Sequence, residues 1–406
     1  MDYYDVVVVG RGLVGSAAAK YLAFEGKRVA LIGPGEEDRD VRGCHADEGR
    51  ITRTLDPDPV WAELAARSIE RYEEIAKASG VSFHEAVGCL AVGRAAGAYL
   101  RAVSETASRS GASLERLTEK SMASRWPHLR LDASLLGEEG EFEGLYEPPP
   151  AGHVSPRRLL AAQLEIFRLN GGIAIDDVVD RVDPRGIVSL RGGRTLEAAK
   201  VLVATNAWTN FRPLLPRRVV MRLTTQTAVC RRVSGDGPSM PALIIKGGAA
   251  PFGVENRLDA CYVLPPIAYG DETYVKIGHG SFFEKDLSNE RDALGWYEGR
   301  NDDPSDDLAA LLARLLKDGD ADDVRVVRCV IPKTPTKRPY MHLFSPRLGC
   351  CVGCNGYAAK SSDELGRLAA DMLARGVAGD WGPRIPADAF QVVFEEEEEG
   401  DDDPRN

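Results

Sequence analysis

Apolar residues fall into two kinds of run along this chain. Val6-Val7-Val8-Val9, Val29-Ala30-Leu31-Ile32, Val201-Leu202-Val203-Ala204 and Cys350-Cys351-Val352 are short and continuous, the signature of strands buried on both faces. Longer stretches mix charges with apolar residues at helical spacing. Pro59 to Ser79 does so through Val60, Leu64, Ile69, Tyr72 and Ile75, and Thr118 to Trp126, Leu308 to Lys317 and Ser362 to Arg375 follow suit. Ser155 and Pro156 read as the N-cap and first position of a helix that stops at Asn170-Gly171-Gly172. Shorter strands are expected near Phe83 to Val92, Gly172 to Ile175 and Ile187 to Leu190. From Val219 to Phe283 strand-like runs alternate with Gly and Pro, which suggests a mostly antiparallel sheet. Glu138 to Pro150, rich in acid, Gly and Pro, reads as an exposed connection.

The first strand runs directly into Gly10-Arg11-Gly12-Leu13-Val14-Gly15 and then an Ala-rich helix. Strand, G-x-G-x-x-G turn and helix together predict a dinucleotide site. Gly10 permits the turn, Gly12 admits a pyrophosphate to the backbone, and Gly15 lets helix and strand pack closely. Leu13 and Val14 open the helix whose free N–H groups face the phosphates. The motif alone leaves FAD and NAD(P) both open. An acid should follow the second strand to hold the ribose, but Gly33 stands there. Glu36 or Glu37 could replace it from a longer loop, or backbone groups could serve. A second strand-Gly-helix pattern, at Cys350 to Arg375, suggests a nucleotide domain completed by the C-terminus. The fold expected is α/β: a discontinuous Rossmann-like domain with an inserted, mostly antiparallel β-sheet domain. The parts are 1–80, 150–215 and 325–390 for the nucleotide, and 81–149 and 216–324 for the substrate.

Composition narrows the partners. A chain of 406 residues with net charge −11 carries no general nucleic-acid signature. Part of that charge lies in Glu395 to Asp403, so 391–406 is expected to be a disordered acidic tail. No apolar stretch approaches the roughly 18 residues that span a membrane. The first strand begins so early that no leader is expected. A cytoplasmic protein, monomeric or a small homo-oligomer, follows as the default, with its eight cysteines as thiols. Cys351 and Cys354 form one C-x-x-C with no facing pair, so no metal site is expected.

Four further segments, taken in order, resemble the D-amino-acid-oxidase-type flavoproteins, and within them the monomeric sarcosine oxidase group. The resemblance covers roughly Val6 to Gly376. It implies FAD as cofactor and oxidation of a secondary amine or N-methyl amino acid to an imine, with molecular oxygen reduced to hydrogen peroxide. In His45-Ala46-Asp47-Glu48-Gly49-Arg50-Ile51-Thr52-Arg53 it assigns His45, Arg50 and Ile51 to the flavin and Arg53 to the substrate carboxylate. A cation beside the ring stabilises an anionic reduced flavin, and a guanidinium suits a planar carboxylate. From spacing alone the two arginines could equally be a solvated surface pair. In Tyr274-Val275-Lys276-Ile277-Gly278-His279 it places Lys276 beside the flavin, where oxygen is reduced. His279 aligns less cleanly and is a further pocket candidate.

In Arg328-Cys329-Val330-Ile331-Pro332-Lys333-Thr334 the resemblance makes Cys329 the candidate thioether to the flavin, with Arg328 and Lys333 near enough to favour the thiolate. In Gly353-Cys354-Asn355-Gly356-Tyr357-Ala358-Ala359-Lys360 the turn faces the flavin through Gly353, Asn355, Gly356 and Tyr357, while Lys360 binds the substrate carboxylate. The family's Ser-Gly-His-Gly becomes Cys354-Asn355-Gly356-Tyr357 here, which points away from sarcosine itself. Val178 and Trp208 complete the FAD contacts, with Asn206 standing where Gly is usual. The substrate implied is a small carboxylate-bearing amine. A flavin dehydrogenase or tailoring enzyme acting on a larger or cyclic amine, with a non-oxygen acceptor, is the alternative enzyme. A nucleotide-binding protein without catalysis is the third reading, and retention of Lys276, Arg53 and Lys360 argues against it.

Overall fold

The computed structural model describes residues 2–35, 43–132, 141–246, 260–281, 283–299, 303–316 and 324–396. Three sheets organise them. The first is built on β1 (Asp2–Val9), β2 (Val29–Gly33) and β9 (Ile173–Asp176), all parallel, with β12 (Thr195–Val203) parallel to β1 on its other side. The β12 strand is shared along its length. Its first half pairs antiparallel with β11 (Ile187–Leu190), which pairs with β10 (Val179–Asp183). Its second half pairs in parallel with β20 (Leu348–Val352), the partner of β19 (Tyr340–Ser345). The valine-rich β1 and β2 are central and buried on both faces, as continuous apolar runs require.

Helices α1 (Leu13–Phe24), α6 (Pro156–Leu169) and α9 (Ser362–Arg375) share one apolar core with β1 and β2. The Ala-rich face of α1 lets α9 approach closely: a Cβ on Gly366 would lie 2.4 Å from that of Ala17. Beneath this crossing sits a buried ionic cluster. Asp363, fully buried in the first turn of α9, accepts from Lys20 at 2.6 Å, Arg71 at 2.7 Å and Tyr21 at 2.9 Å. Its neighbour Glu364 accepts from Arg71, Arg67 and Arg367. The cluster pins the start of α9, and so the residues just before it, to α1 and to the junction of α2 (Pro59–Glu70) with α3 (Tyr72–Ser79). The continuous helix expected over Pro59 to Ser79 is interrupted there, because Arg71 turns to serve both acids.

The second sheet has the order β17-β13-β16-β15-β14-β5-β7-β6, with β18 also on β13. Its strands are β5 (Cys89–Arg94), β6 (Glu115–Thr118), β7 (Phe142–Glu147), β13 (Arg222–Val233), β14 (Ala242–Lys246), β15 (Ala260–Tyr269), β16 (Glu272–His279), β17 (Asp286–Leu287) and β18 (Val324–Lys333). All pairings are antiparallel except β14 with β5. Helices α4 (Ala98–Ser110), α5 (Glu119–Arg125), α7 (Glu290–Tyr297) and α8 (Ser305–Leu315) pack around it. A small sheet of β3 (Arg50–Thr52), β8 (Gly152–Val154) and β4 (His84–Glu85) completes the set.

Three sequence expectations change. Glu138 to Pro150 is not an exposed connection: Phe142–Glu147 is the buried strand β7, between β5 and β6. Its Gly and Glu residues mask a strand whose neighbours cover it. The β18 strand joins the second sheet, so the stretch from 325 onward opens outside the nucleotide sheet. In the tail, Phe394 bridges to Val219 and Glu395 bonds Arg218; residues beyond 396 lie outside those described. Among the described residues no helix is long and apolar enough to cross a membrane.

Burial raises the Asp363 carboxyl, but Lys20 and Arg71 outweigh it and hold it below the ordinary carboxylate range. Its contribution is therefore present above the unfolded-state value and lost as pH falls through the depressed folded value. Asp363→Ala, which strands a buried lysine, should cost about 3–5 kcal/mol at neutral pH, read by urea unfolding. A loss below about 1 kcal/mol would show that the cluster does not anchor α9.

Candidate active site

One long cavity of about 710 Å³ runs from the glycine turn after β1 to the turn after β20. At the first end Gly10 has φ +111°, and a Cβ there would sit 2.5 Å from the Ala204 carbonyl oxygen. A Cβ on Gly15 would sit 1.9 Å from the carbonyl oxygen of Gly10, whereas one on Gly12 meets nothing within 4 Å. The turn is thus tight where it packs and open where it faces the cavity. Gly12 caps α1 with no side-chain bond, which leaves the helix N–H groups for an anion. Leu13, Val14 and Val178 line this end.

Gly33 has a steric reason. A Cβ there would lie 2.5 Å from that of Arg11, whose guanidinium bonds the Pro34 carbonyl at 2.6 Å and pairs with Asp176 at the end of β9. Arg11 covers the position of the expected ribose acid. Glu36 and Glu37 lie outside the described residues.

The middle of the cavity is charged. Arg50, on β3, and Lys276, on β16, both pair with Asp47. Lys276 also donates to the Gly49 carbonyl at 3.2 Å, and it is 1% exposed. Asp47 accepts in addition from the Tyr269 hydroxyl at 2.7 Å. Burial, and then the Arg50 guanidinium, push the Lys276 ammonium down to about 8, and the Asp47 carboxylate lies in direct contact with it. His45 and Ile51 line the cavity nearby, and burial drives the His45 imidazolium down to about 4, so the ring is neutral. His279 is neutral too: Nε2 accepts from the Thr227 N–H at 3.0 Å and Nδ1 donates to the Gly280 carbonyl.

Cys329 lines the cavity from β18, and its carbonyl accepts from Trp296 Nε1 at 3.1 Å. The cations expected to favour its thiolate are committed elsewhere: Arg328 to Asp303 and Lys333 to Glu284. Arg328, adjacent on a strand, points to the opposite face.

At the far end, Gly353, Asn355 and Gly356 all have positive φ, between +52° and +77°. The Asn355 side chain ties the turn to the Thr334 N–H at 2.9 Å and to the Gly353 carbonyl at 2.6 Å. Asn206, at φ +50°, accepts from the Cys354 N–H at 3.0 Å. Asn tolerates the left-handed conformation where Gly was usual, and its amide adds a bond that Gly cannot make. Trp208 lines the cavity from the same turn. Beyond lies a second charged group: Asp56 is 2.9 Å from Arg53 and 3.3 Å from Lys360. The Lys360 ammonium lies 5.0 Å from the Tyr357 ring centroid, and Tyr357 stacks on Trp61. Burial lowers Lys360 to about 8 against the pull of Asp56. Glu147, from β7, accepts from the Thr54 and Leu55 N–H groups and fixes the loop that carries Arg53.

Of the residues expected at the site, all but Gly15 and Gly353 line this one cavity. Sequence reasoning missed Asp47, Asp56, Tyr269, Glu147 and Arg11. A signal for the first two was present: Asp47, Arg50, Arg53 and Asp56 recur at intervals of three. The open Gly12 edge, the uncapped helix and the cavity's length fit a dinucleotide.

A family model described as FAD dependent oxidoreductase matches residues 5–372. Monomeric sarcosine oxidase of Streptomyces avermitilis is 29% identical over 212 residues, 50% of this chain and 52% of that protein. N-methyl-L-tryptophan oxidase of Salmonella arizonae is 22% identical over 54% of this chain and 58% of its own length. The chain thus matches only about half the length of these curated relatives. Among solved structures, NikD, an amino acid oxidase of nikkomycin biosynthesis, has TM-score 0.76 at 20% identity, covering 98% of this chain and 99% of its own. Glycine oxidase of Geobacillus kaustophilus has TM-score 0.68 at 19% identity, covering 92% and 95%.

The open space at Gly12 generates a test. Gly12→Asp should leave the fold intact, because its Cβ meets nothing, yet put a negative charge against the phosphates. The expected product is folded protein with at least about tenfold weaker flavin retention, read by visible absorbance and circular dichroism. Full flavin content would place the phosphates elsewhere.

Proposed function

The chain belongs to the FAD dependent oxidoreductase family and binds FAD, and from that premise we propose that it oxidises the C–N bond of a carboxylate-bearing secondary amine or N-methyl amino acid. The observation that carries this reading is the pair of buried cations, Arg53 and Lys360, sharing the single carboxylate of Asp56. Asp56 is shared between two cations, and a substrate carboxylate would supply a further counter-ion. FAD held there would supply the two-electron acceptor for conversion of the amine to an imine, with molecular oxygen and two protons as the proposed final acceptor giving hydrogen peroxide. This chain's residues do the rest. Gly10, Gly12 and Gly15 admit the pyrophosphate; His45, Arg50, Ile51, Val178, Trp208 and the turn at Gly353 to Tyr357 bind the remainder. Arg53 and Lys360 orient the substrate, and Lys276 offers a fixed cation where oxygen gains charge. Cys329 faces the cavity and is the candidate for covalent attachment. The nucleotide part is drawn from 1–80, 150–215 and the portion of 325–390 that follows β18, and the substrate part from 81–149, 216–324 and β18 itself. The Trp61–Tyr357 stack beside Lys360 favours a substrate with a flat or cyclic apolar portion over the smallest N-methyl amino acids.

Arg53→Met should raise KM for such an amine by roughly 30-fold or more, the scale of a lost charge-assisted bond to a desolvated carboxylate. An unchanged KM would place the carboxylate elsewhere. Because Lys360 is charged below about 8 and neutral above, kcat/KM should fall as pH rises through that value. That limb should vanish in Lys360→Met.

The two half-reactions separate in stopped flow. Lys276→Met should slow reoxidation of the reduced enzyme by oxygen at least about 100-fold and anaerobic reduction by substrate much less. Cys329→Ser should leave flavin extractable by acid. Normal oxygen reactivity in Lys276→Met would remove Lys276 from the oxygen half-reaction.

A further inference from the structure

Asp47 is buried, 3% exposed, and each of its carboxylate oxygens is used twice. One takes the Tyr269 hydroxyl at 2.7 Å and the Glu48 N–H at 2.8 Å; the other takes Arg50 and Lys276. Two of these four donors are cations from different strands, β3 and β16. The other two hold the carboxylate in a fixed orientation between them. We propose that Asp47 is a positioning residue for the oxygen half-reaction: its carboxylate is the counter-ion that holds the Lys276 ammonium in place and in its charged form. This rests on the reading of Lys276 given above.

The surroundings leave Lys276 no substitute. Arg50 faces it from β3, Tyr262 and Tyr269 from β15, Cys230 from β13 and Cys329 from β18. None of the Tyr and Cys groups is a carboxylate, and Arg50 repels. Among the described residues Asp47 is the carboxylate paired with Lys276. A buried lysine beside an arginine loses its proton easily once its counter-ion is gone. Removing the Asp47 charge would therefore leave Arg50 as the resident cation and turn Lys276 into a neutral amine, with the loss growing as pH rises. The Gly49 carbonyl, at 3.2 Å, can still accept from that amine, so the side chain stays near its place while its charge goes.

The test compares the holoenzymes of Asp47→Asn, Asp47→Glu and Lys276→Met. Reoxidation by oxygen is followed from pH 6 to 10, about two units either side of neutrality-to-mild-base. The visible spectrum of the oxidised flavin is titrated over the same range, as a readout that needs no turnover. In Asp47→Asn the alkaline loss of oxygen reactivity should move down by at least about one unit, so that reoxidation near neutrality is roughly tenfold slower. The spectral inflection that is missing in Lys276→Met should move with it. Anaerobic reduction by substrate should change by less than about threefold. Asp47→Glu should restore most of the profile. If Lys276→Met is slow but Asp47→Asn keeps the wild-type profile and titration, the proposal is wrong and the reading of Lys276 stands. If Lys276→Met itself reoxidises normally, the reading of Lys276 fails first. Should Asp47→Asn not retain flavin, Tyr269→Phe decides. It removes one of the bonds orienting Asp47 and should shift the profile the same way by a smaller amount, and an unchanged profile overturns the proposal.

Discussion

Arg53, Lys276 and Lys360 lie buried in one cavity with a half-buried Arg50 beside them, and the structure is arranged around the cost of holding these charges there. A charge removed from water is unfavourable by several kcal/mol unless paired. The segment from Asp47 to Asp56 meets that cost twice with one pattern. Asp47 pairs with Arg50, Asp56 pairs with Arg53, and a lysine from a distant element joins each pair. Each carboxylate is shared between two cations, so neither pair of cations is matched one-to-one by its aspartate. That incompleteness is what gives the cavity its chemistry. Full neutralisation would remove the features on which the proposed roles of Arg53, Lys360 and Lys276 depend.

The lysines reach these groups because rigid elements deliver them. Lys276 lies on a central strand of the second sheet, between β13 and β15. Lys360 sits in the short turn before α9, and α9 is fixed by Asp363 and Glu364 to α1 and to the break between α2 and α3. The helix proposed to receive the phosphates at its own N-terminus is thereby tied to the turn that ends in Lys360, the proposed substrate anchor. The two ends of the cavity are some 340 residues apart in sequence, as are Lys20 and Asp363, 343 positions from each other.

Much of this was legible in the sequence because it depends on local chemistry. The glycine turn, the Ser155 cap, α9 and the continuous apolar strands each follow from a few adjacent residues. The site residues Arg50, Arg53, Lys276 and Lys360 were legible only through resemblance, since an arginine or lysine on an amphipathic stretch is ordinarily a surface residue. What escaped was whatever depends on partners far along the chain. Strand β7 is hidden by its Gly and Glu content, and its burial comes from β5 and β6. Gly33 looked like a missing acid, whereas in space it is the floor for Arg11. The two aspartates escaped because a carboxylate acquires a counter-ion role only when the fold brings cations to it.

The sharing of β12 bears on the order in which the molecule can be assembled. Its second half has β1 on one side and β20 on the other, and β20 ends at Val352. During synthesis the N-terminal strands can pair with β12 once about half the chain has emerged, but the flank that β20 covers stays open until most of the rest is made. In the interval an apolar strand, Val201 to Val203, presents an unpaired edge. The intervening sheet fills that time, and it too closes across long separations, with β5 waiting for β14. Closure of both sheets thus depends on late, non-local pairings, the kind of contact that slows folding in general.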